Sequence, residues 1–74
     1  MSFSNEIKKV RMKAFLTQTA FAKEIRVSFS TVNRWENGKG KPNLIAMKTI
    51  KSFCEAHDIP YENLEAEWFN SPSK

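Results

Sequence analysis

One short stretch concentrates groups able to recognise another surface. Phe29, Ser30, Asn33, Arg34 and Asn37 fall on one side of a helical repeat, opposite the apolar pair Val32 and Trp35. A guanidinium forks onto two acceptors, a carboxamide sets a donor beside an acceptor, and a hydroxyl serves as either. That face is equipped to read a pattern of donors and acceptors by hydrogen bonding, and it holds no nucleophile with a base beside it. The chemistry available elsewhere is thinner. His57 and Cys54 are the sole histidine and cysteine, three residues apart on a helical pattern. Cys54 lies on the apolar stripe and His57 at a helix C-terminus, where a cation is favoured, so their placement is structural. No set of three or four ligands for zinc occurs. Gly38-Lys39-Gly40 is too short to be a phosphate-cradling loop. An enzyme, a cofactor and a metal site are not expected.

Charge points to the kind of surface being read. The 74 residues carry a formal charge of +4, with eleven Lys/Arg and three Asp/Glu from Met1 to Phe53, and one lysine against five acids from Cys54 onward. A basic body with an acidic end suits a polyanion bound on one face, nucleic acid being the commonest. The length allows one domain with a small core. A single cysteine cannot form an internal disulfide, which fits a reducing compartment, and the cytoplasm is the expected location. No apolar leader and no run of about 18 apolar residues is present, so no membrane association is expected.

The elements that must position the polar face are all helical, since apolar residues recur at helical spacing and no strict alternation occurs. Ser4 is the expected cap of a first helix carrying Ile7 and Val10, ending near Phe15. Thr17 caps a second, Gln18 to Ile25, with Phe21, Ala22 and Ile25 inward. Ser28 caps a third that ends at Asn37-Gly38, where glycine takes the left-handed conformation without a Cβ clash. After the basic linker Gly38–Pro42, Asn43 caps a fourth helix to about His57, with Leu44, Met47, Ile50, Phe53 and Cys54 on one stripe. Pro60 opens a fifth, with Tyr61, Leu64 and Trp68 on one face. The expected architecture is a compact five-helix, all-α bundle over residues 4–69, with 70–74 a disordered tail.

Two short helices joined by a tight turn, the second exposing small polar and cationic groups, form the layout of a helix-turn-helix reader. The stretch LTQTAFAKEIRVSFSTVNRWENGKGKP resembles the helix-turn-helix of the lambdoid phage repressor and Cro class, the XRE family. Several spaced elements agree: Arg11 seven residues before Gln18, LTQ at the start of helix two, Ala22 at the helix crossing, VS before the reading helix and WENGKGKP after it. The resemblance implies the lambda repressor-like fold over about residues 7 to 65 and double-stranded DNA as the partner. It implies that Gln18 bonds a phosphate, and that Ser28, Phe29, Ser30, Asn33 and Arg34 touch bases or nearby phosphates, with Asn37 a further DNA-contact candidate on the same face; Phe29 either lies on a thymine methyl or folds back over the helix against neighbouring side chains. It makes Lys39 and Lys41 sequence-independent phosphate contacts. It makes Arg11 and Glu36 an ion pair that steadies the reader. Two positions depart from the pattern: Phe15 and Arg26 stand where the family usually has glycine, a strain of roughly 1–2 kcal/mol each if the turns stay left-handed. Arg26 in that turn would face the DNA backbone.

The expected role is therefore sequence-specific DNA binding by a small transcriptional regulator, a repressor with little effector machinery of its own. The rival is a protein-interaction or antitoxin-like module of the same fold, working through its aromatic, acidic end: Tyr61, Glu62, Glu65, Trp68 and Phe69. Trp68 and Phe69 are adjacent and cannot both face one core. That end also offers a homodimer interface for reading palindromic half-sites. A protein antagonist would suit a regulator whose binding is relieved by a partner rather than by a small molecule.

Overall fold

The computed structural model of the chain describes residues 2–70. Five helices follow in order: α1 Phe3–Lys13, α2 Gln18–Glu24, α3 Phe29–Glu36, α4 Leu44–Ala56 and α5 Glu62–Asn70. The first four open on a side-chain cap. Ser2, Thr17, Ser28 and Asn43 each accept the N–H three residues ahead, at 3.3, 3.1, 3.2 and 2.9 Å.

Three boundaries differ from the sequence expectation. Ser2, not Ser4, caps α1, because Phe3 is a core residue and the helix must begin there to bury it. Pro60 stands outside α5, whose first backbone bond runs from the Glu65 N–H to the Tyr61 carbonyl. Asn70 ends α5 rather than starting a tail, and the expectation of disorder for 71–74 lies outside the described residues.

The core gathers Phe3, Ile7 and Val10 of α1, Phe21 and Ala22 of α2, Val32 and Trp35 of α3, Met47, Ile50, Phe53 and Cys54 of α4, and Leu64 of α5. Phe21 meets Phe53 edge to face, with centroids 5.2 Å apart. Leu44, expected on the α4 stripe, is exposed instead. Helical side chains tilt toward the N-terminus, so at the first position of a helix Leu44 leans past the end, away from the layer beneath.

The helix ends solve the missing glycines without rebuilding the turns. Phe15, Arg26 and Asp58 all take positive φ, at 59°, 64° and 58°, and Gly38 does so at 74°. Each closes α1, α2, α4 and α3 respectively with the same doubled bond. The next residue's N–H reaches back over the turn: Leu16 to Arg11 O, Val27 to Ala22 O, Ile59 to Cys54 O and Lys39 to Arg34 O. After the three non-glycine turns, that next residue is apolar and packs on or in the core. Burial of Leu16, Val27 and Ile59 thus holds their neighbours in a conformation they disfavour.

Phe15 is 94% exposed, so its ring contributes little to packing. Phe15→Gly exchanges left-handed strain of roughly 1–2 kcal/mol for a glycine entropy cost of roughly 0.5–1 kcal/mol. The expected outcome is a gain of about 1 kcal/mol and a Tm about 4–8 °C higher by calorimetry; a lower Tm would place an unseen role on the phenylalanine.

Candidate nucleic-acid interface

α3 is held from below by Val32 and Trp35, which are buried, and from one side by polar bonds. Arg11 grips Glu36 with two parallel bonds, Nε to Oε2 at 2.7 Å and Nη2 to Oε1 at 3.0 Å, and its Nη1 donates to Leu16 O at 2.9 Å. The pair lies mostly out of solvent, with side chains 14% and 5% exposed. The bonded carboxylate holds the Arg11 proton more tightly than in water, and partial burial opposes this. One residue thereby joins α1, the turn after it and the end of α3.

From Glu36 the bonding continues outward. Gln18 Nε2 donates to Glu36 Oε1 at 3.0 Å, Asn33 Nδ2 donates to Gln18 Oε1 at 3.2 Å, and Asn37 Nδ2 donates to Asn33 Oδ1 at 3.0 Å. Each amide is oriented by the one behind it, beginning at a carboxylate that can only accept. Gln18, expected to offer its amide to a phosphate, has both ends engaged inside the protein, because it sits at the first position of α2 directly across from Asn33 and Glu36. It keeps one amide hydrogen for anything outside.

The outward face of α3 carries Ser28, Phe29, Ser30, Arg34 and Asn37, all exposed, with Asn33 half-buried behind them. Ser28 spends its hydroxyl on the cap and on Thr31 Oγ1, at 2.8 Å. The eight residues of α3 make a rod about 12 Å long and, with side chains, about 10–12 Å across, which the roughly 12 Å wide major groove admits. Arg26 and Lys39 flank it, both exposed. Lys41 departs from the expected pattern, since its Nζ donates to Trp68 O at 2.7 Å and lies 5.2 Å from the Trp68 ring centroid. Thr31, which the sequence reading passed over, lines a groove of about 290 Å³ with Arg34, Gly40, Lys41 and Asn43.

A polar face on the second of two packed short helices, fixed from behind and bordered by cations, has the layout of a helix-turn-helix, and the sequence comparisons agree on that motif. The helix-turn-helix family pattern matches residues 7–60. The chain belongs to the XRE-type helix-turn-helix family. Among curated proteins, the HTH-type transcriptional activator BcrR of Enterococcus faecalis is 36% identical over 53 residues, covering 72% of this chain and 26% of that protein. The chain thus matches about a quarter of the length of that relative. Within this XRE-type domain, no group of three or more His, Cys, Asp or Glu could hold a metal among the described residues. No helix among them is long and apolar enough to cross a membrane. Burial, with a smaller contribution from Glu55, pushes the Cys54 thiol up to about 11.

Two outcomes are expected of the domain. Glu36→Gln leaves the Arg11 charge poorly matched and costs roughly 3–5 kcal/mol in denaturant unfolding, a large share of the stability of a small domain; a loss under about 1 kcal/mol would remove the pair from its supporting role. Cys54, neutral and buried, reacts with thiol reagents only as fast as the domain opens. Its raised pKa also adds stability below the ordinary thiol range that is lost as the pH rises toward about 11. Fast labelling at neutral pH in the folded state would contradict the placement.

Proposed function

We propose that this domain binds specific sequences of double-stranded DNA and regulates transcription, with α3 entering the major groove. The observation that carries the reading is the oriented amide chain from Arg11 to Asn37 behind an exposed Arg34, because a reader gains affinity and selectivity when its side chains are set before binding. Arg34 suits the O6/N7 edge of guanine, and Asn33 with Asn37 suits adenine edges. Ser28, Phe29 and Ser30 line the first turn for bases or adjacent sugar and phosphate, and Phe29, half exposed, suits a thymine methyl. Gln18, Arg26 and Lys39 serve as phosphate contacts. Occupying a site suffices to repress, so repression is the proposed sign; BcrR, a protein this chain matches over about a quarter of its length, is named as an activator.

A second copy is the proposed partner on DNA. α4 and α5 leave a mostly apolar groove of about 190 Å³ lined by Leu44, Met47, Trp68 and Phe69, with Lys48 and Lys51 on one wall and Glu65 on the other. Phe69 is 71% exposed, whereas Tyr61 is tied back to α4 by its hydroxyl, which donates to Glu55 Oε2 at 3.1 Å. Opposite charges on the two walls let the groove face a copy of itself across a two-fold axis.

Selection of bound duplexes from a random pool tests the reading, with a half-palindrome expected and no enrichment favouring the protein-interaction alternative. On the selected site, Arg34→Ala is expected to cost roughly 1–3 kcal/mol and to relax choice at one base pair. An equal loss on random duplex would move Arg34 to a phosphate. Lys39→Ala is expected to weaken all sequences alike and to lower the salt slope by about 0.9. For the dimer, Phe69→Glu is expected to convert a concentration-dependent dimer to monomer in sedimentation, and an unmodified chain that stays monomeric on DNA would remove the second copy.

A further inference from the structure

Trp68 lies on α5, outside the residues 7–60 that the family pattern matches, yet it is bonded to the border of the reading head. Its indole Nε1 donates to Pro42 O at 2.7 Å, its own carbonyl accepts Lys41 Nζ at 2.7 Å, and that ammonium stands 5.2 Å from its ring centroid. These three contacts tie two successive residues of the α3–α4 linker to one residue on the last helix. They fall where the linker lies between its own backbone anchors, Lys39 N–H to Arg34 O on one side and Met47 N–H to Asn43 O on the other.

The linker borders the reading face directly. Arg34 Nη2 lies 3.6 Å from the point where a Cβ on Gly40 would stand, and Arg34 shares its groove with Gly40, Lys41 and Pro42. A shift of the linker therefore changes the space around Arg34 and the approach of Lys39 to a backbone phosphate. Trp68 is only partly buried, packed against the edge of the core rather than within it. The indole adds a directed N–H, and that N–H is spent on the linker.

We propose that Trp68 is a positioning residue for DNA binding, clamping the linker beside Arg34 so that less of it must be ordered when DNA binds. This rests on the DNA-binding reading above. Lys41 belongs to the clamp, its charge seated on a last-turn carbonyl of α5 where the helix dipole favours a cation, and it acts on DNA through the linker rather than on a phosphate.

Trp68→Phe keeps an aromatic ring near Lys41 but removes the N–H together with part of the indole's apolar surface, so it is read beside Lys41→Met, which leaves the indole whole. The expected result is an unchanged circular dichroism spectrum, faster amide exchange at Gly40 and Lys41, and affinity lowered roughly three- to tenfold on the selected and on a random duplex alike, as loss of one tethering hydrogen bond would give. The salt slope stays that of the unmodified chain, which separates lost positioning from a lost phosphate contact. Lys41→Met is expected to behave the same way, and it carries the test should Trp68→Phe melt the domain. Unchanged affinity in a Trp68→Phe chain with a loosened linker overturns the proposal, as does a slope lowered by about one in Lys41→Met. An unmodified chain that binds neither duplex overturns the DNA-binding reading itself, a different result from a bound parent with unaffected variants.

Discussion

The two-pronged grip of Arg11 on Glu36 is the contact on which the placement of α3 and its polar face depends. Val32 and Trp35 seat the short α3 in the core, and the ion pair adds a directional fastening at its C-terminal end that limits rotation about its own axis. The pair sets that rotation, and because Glu36 also accepts from Gln18, the setting passes to Asn33 and Asn37 on the solvent side. A largely buried ion pair is an expensive way to gain stability, since desolvation consumes much of the attraction. Its use here makes sense as orientation: it points a row of amides outward and limits the number of ways they can point.

The turns show the same preference for geometry over local comfort. Phe15, Arg26 and Asp58 occupy left-handed backbone that glycine would take more easily, and each is followed by an apolar residue that packs against the protein body. The helices therefore meet at fixed angles because Leu16, Val27 and Ile59 are anchored. At the α2–α3 turn this choice also places a guanidinium beside the reading head, which glycine could not do.

Much of this was legible in the sequence because the signals are local. Thr17, Ser28 and Asn43 announce helix starts by chemistry that acts over three residues, and Val32 with Trp35 marks the buried side of α3 by period alone. Ser4 misled because a serine two residues earlier was an equal cap and only the burial of Phe3 decides between them. Leu44 misled because the helical period says nothing about whether a neighbour reaches the first turn. For Gln18 and Lys41 the sequence shows only their outward donors, since no local rule reveals that Glu36 and Asn33, or a carbonyl 27 residues away, also bond them. Contacts of that reach, including Trp68 to Pro42, follow from the packing of the whole bundle.

On the proposed function, α3 and its flanks, and not the α4–α5 groove, meet DNA. Backbone and side-chain amide NMR during titration with a selected duplex tests it most directly. The largest shifts are expected at residues 28–39, including the side-chain amides of Asn33 and Asn37, with the buried rows of α1 and α4 little changed. Shifts centred instead on Leu44, Trp68 and Phe69, with Ser30, Asn33 and Arg34 unmoved, would contradict it.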